Sequence, residues 1–184
     1  MLNAGIVSSI LSLLTPEKHL VDVAGEVAWV LSYFTAKPDC VPVFVSSGII
    51  TILDPFLNSL AQQSPHNSQV AICVCNVSYH APSYLSTVLE LCVMDAFVNI
   101  LMSPDQDTIV TGLPFVEMAL RSVPASKEMF EIAKGVACLE ALEYSCNGTV
   151  SQYANELIDT YFIQEESDGE RVSDGDEGNN YARL

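Results

Sequence analysis

Four stretches of the chain share one alternation of apolar and polar positions. AGIVSSILSLL, SSGIITILDPFL, ELCVMDAFVNIL and AKGVACLEALEY each place apolar side chains three and four positions apart, the period of an amphipathic helix. The small residues near their openings, Gly5, Gly48, Cys92 and Gly135, lie 43, 44 and 43 residues apart. A second column of small or β-branched residues, Val27, Val70, Gly112 and Ala154, runs in parallel with spacings of 43, 42 and 42. Two columns with one period define a helical repeat. Within each unit the punctuation predicts a short, a medium and a long helix, which for the second unit are 40–46, 48–62 and 68–80.

Prolines mark the joints. Pro16, Pro38, Pro65, Pro82, Pro104 and Pro124 lie in or beside them, each lacking the N–H that a continuing helix needs. Ser126 and Ser103 read as helix caps. Pro114 falls inside the long helix of the third unit, where it predicts a kink or a late start.

A period of 40 to 47 residues built only of helices is that of armadillo and HEAT arrays. The expected fold is an all-α, armadillo-type right-handed superhelical solenoid of about three and a half units over residues 1–163. The first unit enters directly at its second helix, so the expectation is a piece of a longer solenoid or an end covered by another chain.

GEVAWVLSYFTA, residues 25–36, resembles the signature of importin-alpha armadillo repeats in its third helix, with Trp29, Leu31 and Ser32 on matching positions. VAICVCNVSY brings Asn76 onto the asparagine of that signature, and the last helix, YANELIDTYF, with the acidic tail behind it, resembles the family's carboxyl end. The resemblance implies a concave groove in which a tryptophan stacks on the stem of a cargo lysine and an asparagine one turn on bonds the cargo backbone. Transferred residue by residue, it makes Trp29, Asn76, Tyr33 and Thr160 candidate peptide-binding residues, and Glu26 and Asp22, three and seven residues before Trp29 on or near the same helix face, join them as receivers of cargo Lys or Arg. The paired positions here are Trp29 with Tyr33, Ile72 with Asn76, Pro114 with Met118 and Glu156 with Thr160, so no unit keeps both members. The family's terminal repeats also lose the array and meet the export receptor instead. The Cys-rich, Trp-poor character also resembles that of a divergent relative of this family.

Charge sharpens the choice of partner. Residues 164–184 carry seven carboxylates and few large aliphatic side chains, predicting a disordered acidic tail. Residues 1–163 still hold 16 acidic against 5 basic side chains, which disfavours nucleic acid and anionic membranes and favours basic partners. Neither a membrane span nor a signal peptide is indicated, so cytoplasm and nucleus are the expected compartments. In such a compartment Cys40, Cys73, Cys75, Cys92, Cys138 and Cys146 are expected as reduced thiols, and the sequons at Asn76 and Asn147 are chance matches.

Chemistry finds little support in the residues. Cys73 and Cys75 are two apart on a helix and point away from one another, and His19, His66 and His80 are scattered among joints. No phosphate-binding glycine loop occurs, and Ser167 and Ser173 sit in acidic contexts that acid-directed kinases accept. The expectation is a protein with no cofactor, no metal and no enzymatic role. It reads as a nuclear import adaptor binding basic localisation signals or a transport receptor, with a protein-interaction scaffold lacking cargo recognition as the alternative. The reading from another class is a cysteine-dependent hydrolase.

Overall fold

The structure, a computed structural model, describes residues 4–14, 21–58, 67–91 and 93–163. Among these residues every regular element is helical. The first unit contributes α1 (Ala4–Leu11) and α2 (Val21–Thr35), and the second α3 (Val41–Ser46), α4 (Ile49–Asn58) and α5 (Asn67–His80). The third comprises α6 (Leu85–Glu90), α7 (Val93–Leu101) and α8 (Gln106–Ser122), and the fourth α9 (Ser126–Ile132), α10 (Gly135–Leu142) and α11 (Gly148–Tyr161). The tail expected over 164–184 lies outside the described residues, as do His19, His66 and Cys92.

The long helices α2, α5, α8 and α11 stack side by side, each on the next, while α4, α7 and α10 form a second layer beneath them. The short helices link the layers, as α3 does by touching α2, α4 and α5. The result is an all-α solenoid whose core is one continuous seam. Its columns repeat with the sequence period: Val27, Val70, Gly112 and Ala154 are all buried, and so are Leu31, Val74 and Val116 one turn on. Among the described residues no single helix is long and apolar enough to cross a membrane.

Proline behaves differently at the joints and inside helices. Pro38 and Pro82 open 3₁₀ turns, Pro38–Cys40 and Pro82–Tyr84, which lead into α3 and α6. Pro114 does not delay its helix, because α8 already begins at Gln106 and runs through it. The start is fixed by Asp105, whose carboxylate accepts the Thr108 N–H at 3.0 Å and the Thr108 hydroxyl at 2.5 Å. Those bonds hold the Asp105 carboxyl below its usual pKa. The bond that Pro114 cannot make would have gone to the carbonyl of Val110, which lies on the exposed side of the helix.

The two serines expected as caps have other roles. Ser103 accepts from the Asp105 N–H at 3.1 Å, supporting the cap one step removed. Ser126 is fully buried in the first turn of α9, where its hydroxyl donates to the carbonyls of Ala119 and Val123 at the end of α8. It fastens one unit to the next.

Candidate functional site

Glu26, Trp29 and Tyr33 follow one another at helical spacing on α2 and are exposed, whereas Ala28, Leu31, Ser32 and Thr35 turn inward against α5. Trp29 is 48% and Tyr33 61% exposed, and their rings meet edge to face with centroids 5.0 Å apart. Such a pair leaves aromatic faces open to solvent and holds each ring with the other. Trp29, Ile72, Pro114 and Glu156 form one column across the four long helices; Tyr33, Asn76, Met118 and Thr160 form the next. Thr160 is exposed on α11, three long helices away from Trp29. Asp22 stands in the first turn of α2, and its side chain lies outside the described set.

Asn76 is half-buried, and its amide nitrogen donates to the Ser32 carbonyl and to the Thr35 hydroxyl, both at 3.2 Å. Both amide hydrogens therefore go to α2 and not to the open face. The side chain clamps two units together, a use that its place in a signature gave no hint of. Removing it in Asn76→Ala is expected to cost about 1–2 kcal/mol in denaturant unfolding, since both hydrogen bonds from α5 to α2 at this point are lost. A variant as stable as the parent would show that the clamp carries nothing.

Cross-helix bonds of the same kind recur along the stack. Cys73 approaches the Ala28 carbonyl at 3.6 Å, and Cys75 the Thr111 carbonyl at 3.6 Å. Between α8 and α11 the Tyr153 hydroxyl donates to the Glu117 carboxylate, which also lies 4.0 Å from Arg121. Burial and the neighbouring Glu117 push the Tyr153 hydroxyl well above its ordinary pKa, so it stays a donor. Sequence reasoning missed this latch, because its partners are 36 residues apart and match no signature.

No family model matches the chain. Importin subunit alpha-5 of Arabidopsis thaliana is 28% identical over 174 residues, which cover 88% of this chain and 33% of that protein. The chain thus spans about a third of the length of this relative. A designed armadillo repeat protein in complex with the peptide (KR)4 superposes with a TM-score of 0.69 at 16% identity, over 85% of this chain and 64% of that one. A computationally designed armadillo repeat protein for modular peptide recognition gives 0.70 at 16% identity, over 85% and 65%. The chain has the armadillo fold and resembles importin alpha subunits. The finer likeness to the Cys-rich relative finds no support in these matches.

Within this fold Cys73 and Cys75 lie at the contacts between long helices. Burial pushes Cys73 and Cys75 up to about 12, so both are neutral at physiological pH and carry no thiolate for attack or ligation. Burial raises Cys138 as well, while Cys146 is exposed. With iodoacetamide at pH 7.5, Cys146 is expected to alkylate first and the fully buried Cys73 only as the units open. Rapid labelling of Cys73 in the folded protein would reverse that assignment. Among the described residues no three His, Cys, Asp or Glu side chains converge as a metal site. His80 instead packs its ring edge to face with Tyr79, their centroids 5.0 Å apart.

Proposed function

We propose that this chain is a protein-binding adaptor of the importin-alpha kind, taking basic segments of its partners on the open face of the long-helix layer and moving between cytoplasm and nucleus. The observation that carries the reading is the exposed Trp29–Tyr33 pair with Glu26 one turn before it. Open aromatic faces attract a cation and its methylene stem, and a carboxylate beside them supplies the counter-charge. The likeness to an importin alpha subunit and to a designed armadillo protein holding (KR)4 supports the same chemistry. The protein's formal net charge of −16 adds attraction for basic partners at long range.

One observation favours the second reading, a scaffold without recognition of localisation signals. Asn76, the residue that would hold a peptide backbone, has both amide hydrogens engaged by α2. On that reading the face still meets a partner protein, without the repeated backbone clamp.

Trp29 is the sole tryptophan, so its fluorescence reports on this face directly. Titration with (KR)4 is expected to shift Trp29 emission and to weaken steeply with added salt. In Trp29→Ala the affinity should fall by about 1–2 kcal/mol, followed with a labelled peptide. Because the indole is 48% exposed, stability should fall by less than the roughly 3–5 kcal/mol of a fully buried aromatic. Binding of (KR)4 that leaves Trp29 emission unchanged and survives the substitution would move the peptide elsewhere.

A further inference from the structure

Three columns of the repeat cross the open face of the long helices. On α11 they hold Gln152, Glu156 and Thr160, all exposed, with the Gln152 amide donating to the Glu156 carboxylate at 2.8 Å. On α8 the same three positions hold Val110, Pro114 and Met118, one turn apart and all apolar. Val110 is 43% exposed, Pro114 is exposed and Met118 is half-buried against the core. Ile72, half-buried on α5, extends the stripe toward Trp29, which shares its column. Single apolar side chains at a surface are ordinary, but a stripe running two turns along one helix marks a contact. Pro114 adds an acceptor to it. The proline has no N–H for the Val110 carbonyl, so that oxygen lacks the partner that an unbroken helix would supply.

We propose that the α8 stripe is an apolar subsite of this face, filled by a bulky aliphatic or aromatic side chain on an extended segment of a partner protein whose basic residues lie at Trp29 and Glu26. The subsite rests on the reading of Trp29 and Tyr33 as a cation platform. Two features select the occupant. An extended backbone keeps N–H groups free for the Val110 carbonyl, whereas a helix engages its own. Exposed carboxylates, Glu26, Asp107, Glu156 and Asp159, stand around the stripe on α2, α8 and α11, and Arg121 already lies 4.0 Å from Glu117, so an acidic segment is repelled. The stack also sets the spacing. Packed helix axes lie about 8–10 Å apart, which puts α8 about 16–20 Å from α2, and an extended chain rising about 3.3 Å per residue covers that in about five or six residues. A helical segment, rising about 1.5 Å per residue, would need about twelve.

The probes are labelled peptides of equal charge titrated into the full chain: a KRKR block joined to a Ser/Gly run, either all polar or with one leucine about three, six or twelve positions from the block, in both chain directions. In one direction the peptide with a spacing of about six is expected to bind about tenfold tighter than the all-polar peptide. That ratio should hold as salt is raised, while both affinities fall. Val110→Ser and Pro114→Ser, each checked by circular dichroism, should each bring the ratio to about twofold or less and leave the all-polar peptide unchanged. Either variant decides the matter should the other unfold. An all-polar peptide that binds through Trp29 and gains nothing from leucine at any spacing overturns the subsite and leaves the cation platform standing. A best spacing of about three moves the contact to α5, and one of about twelve makes the occupant a helix; both overturn the proposal, as does a gain that survives both serine variants or disappears with salt. Failure of every peptide to bind would remove the platform reading and the subsite with it.

Discussion

Phe115→Ala is expected to destabilise the solenoid by about 3–5 kcal/mol in denaturant unfolding, the largest loss for any single truncation considered in this chain. Phe115 and Phe97 are both fully buried, and their rings stack with centroids 3.8 Å apart and planes 17° from parallel, joining α8 to α7. Truncation removes the transfer energy of a large aromatic and leaves a cavity that rigid helices on both sides cannot collapse into. Part of the loss, about 0.5–1.5 kcal/mol, belongs to the ring pair itself and should disappear in a background already carrying Phe97→Ala. Val110→Ala on the same helix, 43% exposed, supplies the control and should shift stability by no more than about 0.5 kcal/mol. If the two substitutions on α8 proved equal, the third unit would not be held by this stack.

That seam was legible in the sequence because burial is periodic and the period is long. The column Val27, Val70, Gly112 and Ala154 is visible in the sequence itself, and all four of its members are buried. The helices expected at 40–46 and 68–80 match α3 and α5 to within a residue at each boundary. Single residues were less legible. Pro114 lies on the exposed side of α8 and does not bring the late start that its residue type allowed. Pro55 likewise lies inside α4, on its exposed side.

The candidate face was legible only as far as the signature reached. It singled out Trp29 and Tyr33, which the structure brings together as an exposed pair. It could not show that Asn76 would turn its amide hydrogens inward, because the choice depends on Thr35 and Ser32 being 41 and 44 residues away in sequence and one helix away in space. The Tyr153–Glu117 latch was hidden for the same reason. Long-range side-chain pairs carry no local pattern, and here they decide whether a polar residue serves the groove or the stack.

The marker glycines divide along similar lines, and Gly135→Ala tests the division. Gly48, just before α4, adopts a left-handed φ of 72°, and a Cβ there would meet nothing within 4 Å, so its constraint is conformational. In the fourth unit Lys134 takes the left-handed turn at φ 64°, and Gly135 becomes the first residue of α10. A Cβ at Gly135 would lie 2.3 to 2.5 Å from three ring atoms of Phe130, a distance that real side chains do not tolerate. Phe130 cannot easily swing aside: it is fully buried and packs against Phe162, whose ring lies 5.8 Å away with the Lys127 ammonium 5.5 Å from its centroid. Alanine's better helix propensity, worth up to about 1 kcal/mol in a helix interior, counts for less at a first helical position. Gly135→Ala should therefore lose about 1–3 kcal/mol, the scale of overpacking. The double variant Gly135→Ala with Phe130→Leu separates the causes in equilibrium unfolding. If the ring contact is responsible, the pair should be more stable than the sum of the two single losses by at least about 0.5 kcal/mol; simple additivity would mean that Gly135 is required for its backbone alone.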